Sequence, residues 1–179
     1  MNLYRLHSKP ETLDFYKQRI DVAPLAFEEA RFIQRQDPKT LKYDKQNSRN
    51  YKHLEPALAT SAEFAYKYAH DILNWRFEAG EDAIMKNARF AYRYAYYVMD
   101  ERWEEAEQYI MKDGLVAVEY AEDLLDGMLW PAAEKYIMKD AEAAYFYSVY
   151  FMEERWPAAE KYIRQDAKWW LKYGSKWEI

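Results

Sequence analysis

From Tyr51 onward the apolar and polar residues recur every 26 or 27 positions, a longer period than that of any single helix. Residues 102–113 read Arg-Trp-Glu-Glu-Ala-Glu-Gln-Tyr-Ile-Met-Lys-Asp. Residues 129–140 and 155–166 restate this stretch, and residues 76–87 form a further copy. Residues 51–61 are a degraded version in which Tyr51, Glu55 and Leu58 hold the corresponding places. The anchor aromatics are therefore Tyr51, Phe77, Trp103, Trp130 and Trp156. A fixed period of this length marks a stacked-repeat architecture, because one unit cannot bury its own apolar face and borrows its neighbour's.

Each unit predicts two helices. Trp103, Ala106, Tyr109, Ile110 and Met111, at places 0, +3, +6, +7 and +8, gather on one broad face at about 100° per residue, so the motif is an amphipathic helix A. Pro131 and Pro157 directly follow their tryptophans, where proline suits a first helical position. Ser61, Asn87, Asp113, Asp140 and Asp166 then recur where a side-chain oxygen is needed to cap helix B. Helix B carries Ala65-Tyr68-Ala69-Ile72, Ala91-Tyr94-Ala95-Val98, Ala117-Tyr120-Ala121-Leu124 and Ala144-Tyr147-Ser148-Phe151, an i, i+3, i+4, i+7 stripe each time. Helices of about 10–14 residues are marginal alone, so packing must stabilise them. The expected fold is all-α: a right-handed α-solenoid of two-helix repeats over residues 49–179.

Residues 1–48 read as a helical leader. Ser8 and Glu11 have capping-box spacing ahead of Leu13, Phe15, Tyr16 and Ile20. Pro24 breaks the chain, and Phe27-Glu28-Glu29-Ala30 with Asp37 echoes the motif as a divergent first repeat. Residues 39–50 are polar and predict a loop or a poor helix. At the other end Trp169, Trp170 and Trp177 cluster where a solenoid normally turns a polar face outward. They either fold back as an apolar cap or form a self-association surface that makes a homodimer.

Eighteen tyrosines against four glycines set this composition apart and favour helix over a turn-rich β fold. The absence of cysteine removes disulfides and thiolate chemistry, and fits a reducing compartment. Residues 1–10 lack an apolar h-region, and the longest apolar run, 143–152, is too short to span a bilayer, so a cytoplasmic protein without membrane contact is expected. Ten Lys/Arg against seven Asp/Glu make residues 1–50 mildly basic (+3), while 16 against 24 make residues 51–179 acidic (−8). Direct nucleic-acid binding by the repeats is disfavoured for want of a basic stripe.

Candidate chemistry is sparse. Glu55, Glu81, Glu107, Glu134 and Glu160 recur at +4 from the anchor and offer an acidic ladder for a basic protein partner or a cation. The alternative is a structural carboxylate that is favoured near a helix start and accepts a hydrogen bond from a Tyr hydroxyl or a Lys of the next unit. Tyr66, Tyr92, Tyr96 and Tyr145, off the core stripe, are candidate recognition residues, since tyrosine brings large contact area at small entropic cost. Arg89 and Arg93 are the cations that a small-ligand reading, such as nucleotide sequestration, would place beside an aromatic pocket. His7, His53 and His70 have no metal-motif spacing, and neither a nucleophile elbow nor a phosphate-binding glycine loop occurs, so neither an enzyme, a metal nor a cofactor is expected.

The units resemble the short helical repeats of the form R-[FW]-P-E-x-E-x-x-I-x-K-D-x-x-x-A-Y-x-Y-A found in proteins of tailed bacteriophages and some bacteria with no assigned function. The resemblance covers about residues 51–173 and is carried by Arg155-Trp156-Pro157, by Lys139-Asp140 and by Arg89-Phe90-Ala91-Tyr92-Arg93-Tyr94-Ala95. It departs at Glu78 and Glu104, where the usual proline is missing. It implies a phage-encoded accessory factor in the host cytoplasm that engages a host protein or a defence component, and it carries no catalytic residue.

Overall fold

The structure, a computed structural model, describes residues 22–36 and 51–179. The capping box at Ser8, the motif aspartate Asp37 and the polar stretch 39–50 lie outside them. The described residues are helical with no strand, and they fall into two compact units divided between Ile84 and Met85. That division lies inside a repeat, between its helix A and its helix B; the leader boundary expected near residue 48 lies outside the described residues.

The first unit holds α1 (Ala23–Gln36), α2 (Glu55–Leu58), α3 (Ala62–Lys67, continued by π-helical turns Tyr68–Leu73) and α4 (Glu78–Ile84). Pro24 occupies the first turn of α1, where its missing N–H has no intrahelical partner to lose. The chain before residue 22, from which Pro24 is expected to separate this helix, lies outside the described residues. Ala23, Ala26, Phe27 and Ala30 are buried on one side of α1, and Phe27 meets Phe64 with ring centres 5.8 Å apart. α3 and α4 pack closely because Gly80 stands where later units have alanine. A Cβ there would come within 2.5 Å of the Phe77 ring and 2.7 Å of the Ala65 Cβ.

The second unit repeats one arrangement. Its B helices are α5 (Ala88–Tyr94, continued by π-helical Ala95–Met99), α7 (Gly114–Leu124), α9 (Ala141–Tyr147, continued by π-helical Ser148–Met152) and α11 (Ala167–Trp177). Its A helices are α6 (Glu104–Ile110), α8 (Pro131–Ile137) and α10 (Pro157–Ile163). Each A helix packs against the B helices before and after it, and successive B helices pack on one another. The A helices have seven residues each, shorter than expected. The cause is the capping residue: Asp113, Asp140 and Asp166 adopt extended backbone, and their carboxylates accept from Val116 N (3.2 Å), Ala143 N (2.9 Å) and Trp169 N (3.2 Å). Asn87 caps α5 in the same way, whereas Ser61 makes no side-chain cap bond.

Helices this short are unstable alone. Burial holds them: Ile110, Ile137 and Ile163 are fully buried, each contributing about 1.5–3 kcal/mol. Tyr94, Tyr120 and Tyr147 are equally inaccessible, and the next unit's tryptophan lies against each, at 5.3 Å (Trp103), 5.4 Å (Trp130) and 5.4 Å (Trp156) between ring centres. The alanines and tyrosines of the helix B stripe are buried as expected, but its last members Val98, Leu124 and Phe151 are only partly covered. The π turn alone does not decide this, since Ile72 is buried within the π turns that continue α3. α3 and the B helices α5, α7 and α9 end on a residue other than glycine in the left-handed region: Asn74, Asp100, Asp126 and Glu153, with φ of 50° to 54°. In the first three the following N–H reaches six residues back, from Trp75 to Ala69 O, Glu101 to Ala95 O and Gly127 to Ala121 O, a Schellman closure.

Candidate functional site

The recurrent glutamates turn inward. In the second unit each anchor tryptophan sits just outside its helix A, so its backbone N–H has no intrahelical acceptor. The core tyrosine of the same unit supplies one: Trp103 N donates to Tyr120 Oη (2.9 Å), Trp130 N to Tyr147 Oη (2.7 Å) and Trp156 N to Tyr173 Oη (2.7 Å). Each hydroxyl donates onward to the glutamate, Tyr120 to Glu107 (3.3 Å), Tyr147 to Glu134 (3.3 Å) and Tyr173 to Glu160 (3.4 Å). In the first unit Tyr68 donates to Glu55 at 3.4 Å. The arginine before the anchor closes the chain of bonds as a fork: Arg76 on Glu81 (3.0 and 3.1 Å), Arg102 on Glu107 (2.5 and 3.0 Å) and Arg155 on Glu160. At Glu134 this place is held by Leu129, and the arginine is missing.

Burial pushes the hydroxyls of Tyr68 and Tyr120 well above the usual phenol range and raises that of Tyr173, and the adjoining glutamate adds to the effect. For Tyr147 the same causes raise the pKa to about 12. The side chains of Glu81, Glu107 and Glu160 keep only 16%, 12% and 10% exposure. As a ladder for a basic partner they are poorly placed, because their own chain supplies both cation and donor. The donor is a tyrosine of the same unit, and the cation is an arginine rather than a lysine of the next unit.

The other candidates are scattered. Tyr66 is buried and stacks on His70 at 5.5 Å. Tyr92 donates its hydroxyl to Asp123, and Tyr145 is half-buried between Phe146 and Trp169. Tyr96 opens to solvent beside Tyr97, whose ring lies edge-on at 4.8 Å. Arg89 pairs with Glu119, so it does not converge with Arg93 on an aromatic pocket. Trp169 is buried against Tyr145 and Phe146, which removes it from any outward self-association face. Trp170 lies under Arg164 at 4.5 Å, and Trp177 packs edge-on against Tyr173. These two remain partly exposed.

A feature not singled out in the sequence lies in the second unit. An open groove of about 570 Å³ is lined by Lys86, Lys112 and Lys139 and by Tyr109 and Tyr136. The lysines hold the ninth place of successive repeats and the tyrosines the sixth. Tyr109 and Tyr136 are therefore half-buried wall residues rather than core, because helix A ends one residue later and the chain turns away. Lys112 stands over the Tyr109 ring at 5.0 Å, and Lys135 and Lys139 over Tyr136 at 4.9 and 6.0 Å. Among the described residues none of the three groove lysines pairs with a carboxylate. Asp113 and Asp140 also border the groove, but their carboxylates cap helices. Gly114 brings the start of α7 against the end of α8, where a Cβ would approach the Ile137 Cα at 3.2 Å. The signal for the groove is the Lys-Asp pair that closes the motif, which reads in sequence only as a helix end.

Among the described residues no three His, Asp or Glu side chains gather where they could hold a metal ion, and no helix is long and apolar enough to cross a membrane. Comparison with protein-family models, with curated proteins and with solved structures finds no match for this chain.

Proposed function

We propose that this chain is a non-catalytic, protein-binding helical-repeat module of the α-solenoid kind. The observation that carries the reading is the division of labour within the motif: its Arg, Glu and core Tyr bond to one another, while its Lys and outer Tyr line an open groove. Groups locked in internal bonds fix geometry, and groups left in a concave, solvent-facing row are those a partner can meet. The resemblance to phage and bacterial repeats supports an accessory factor that acts on a host protein, with a defence component as one such target. The test is in-cell cross-linking of the tagged chain in an infected host, followed by purification and mass spectrometry. A defined host protein cross-linked through residues 86–140 is the expected result. Cross-links only to itself or to virion components would overturn the reading.

A small anionic ligand, such as a nucleotide, is the second reading, favoured by a groove volume within the range of ligand sites. A thermal-shift series with nucleotides separates the two, since a sequestering protein is stabilised by its ligand through mass action.

A further inference from the structure

We infer that the lysine-lined groove of the second unit binds an extended acidic peptide segment with a carboxylate at every third residue. This rests on the protein-binding reading and names the chemistry of the partner at that site.

The lysines come from equivalent places in successive repeats, so they form a row with the spacing of packed helices, roughly 8–10 Å from one to the next. An extended peptide in the polyproline II form advances about 3.1 Å per residue with three residues per turn, so its side chains at i, i+3 and i+6 lie on one face and recur at about 9 Å. The two periods match. A helical partner would advance only about 1.5 Å per residue and would have to place its acids much farther apart in sequence. The half-buried rings of Tyr109 and Tyr136 also line the groove, with Lys112 and Lys139 over their faces, so a peptide meets aromatic carbon beside these cations.

Charge favours a peptide over a nucleic acid. Asp113 and Asp140 border the groove and residues 51–179 are acidic, so a strand with a charge on every unit would meet repulsion between the lysines. A peptide with one acid in three residues brings its charges only to the cations. The lysines are exposed and unpaired among the described residues, so the row need not break ion pairs to bind. The groove lies wholly within one compact unit, so its geometry does not depend on the other.

The probe is a short fluorescein-labelled peptide with Glu at every third position and Leu and Ser between. Its control is an isomer of the same composition with the Glu residues adjacent. Anisotropy titrations use the full chain at low salt. The spaced peptide should bind more tightly than its isomer. Lys112→Glu with Lys139→Glu should weaken it about tenfold or more, and Lys112→Arg with Lys139→Arg should retain it. Equal affinity for the two isomers, indifference to charge reversal, or tighter binding of an oligothymidylate would each overturn the inference. Circular-dichroism melting of both double variants establishes that they fold, which is expected because the lysines are exposed. Repeating the in-cell cross-linking with the reversed variant separates this inference from the broader one. A host protein still captured through other surfaces leaves a binding module without this groove as its site, whereas no host protein captured by the unaltered chain removes the module reading itself.

Discussion

Replacing Tyr120 by Phe should destabilise the protein although it deletes a single oxygen. The ring stays, and with it the contact to Trp130 at 5.4 Å. What is lost is the acceptor for Trp103 N–H, which then lies buried without a partner, and the hydroxyl donor to Glu107. Leaving one buried donor unsatisfied costs about 1–3 kcal/mol. Glu107 keeps its fork from Arg102, so little more is added on that side. A loss of about 2 kcal/mol corresponds to a melting temperature lower by about 4–8 °C in a chain of this size. The assay is thermal and urea unfolding followed by far-UV circular dichroism, with Tyr51→Phe as the comparison. Tyr51 is 3% exposed and edge-on to Tyr68, yet its hydroxyl is buried with no hydrogen-bond partner among the described residues, so removing it should be neutral or stabilising. Equal effects of the two substitutions, within about 0.5 kcal/mol, would refute the claim that the tyrosine hydroxyl holds the start of helix A.

Two further outcomes follow from the same geometry. The core tyrosines have pKa values raised in the folded state above about 10 in the unfolded chain, so their contribution is fully present below pH 10 and is lost as pH rises through the folded values. Urea titrations should therefore give constant tyrosine-linked stability up to about pH 10 and then a fall, with Tyr147, at about 12, adding roughly 1.4 kcal/mol per pH unit. Tyr147→Phe should flatten that slope, and an unchanged slope would refute the linkage. Separately, Glu153 holds φ of 54°, which costs a residue with a side chain about 1–2 kcal/mol. Glu153→Gly should raise stability by about 0.5–1 kcal/mol after the greater freedom of glycine in the unfolded chain is offset. A lower melting temperature for this variant would show the strain to be compensated elsewhere.

The period, the two helices per unit and the capping aspartates are legible in the sequence because each follows from local chemistry: a residue type at a fixed offset. Tyr120 and Tyr147 are legible as core for the same reason. The partner of Glu107 is only half legible. A tyrosine hydroxyl is expected, but that it comes from the same unit depends on how α6 lies on α7, which no spacing states. The π turns of α5 and α9 escape because their residues, Ala95–Met99 and Ser148–Met152, also satisfy an α-helical stripe. The groove is missed because Lys112 and Lys139 look like ordinary basic residues near a helix end, and only the packing of α7 against α8 turns them into a row.

The tyrosine bonds span 17 residues to the tryptophan N–H and 13 to the glutamate, never leaving their own segment of chain. No polar partner has to be found across a repeat boundary in this set; neighbours meet there through tryptophan on tyrosine, a contact without strict directional demands. A gene encoding such a protein can therefore gain or lose a whole segment by unequal exchange without stranding this set of bonds, although an exchange between α5 and α7 would part Arg89 from Glu119 and Tyr92 from Asp123. Length becomes a quantity that selection can adjust in steps of one unit, and with it the number of lysines offered along the groove.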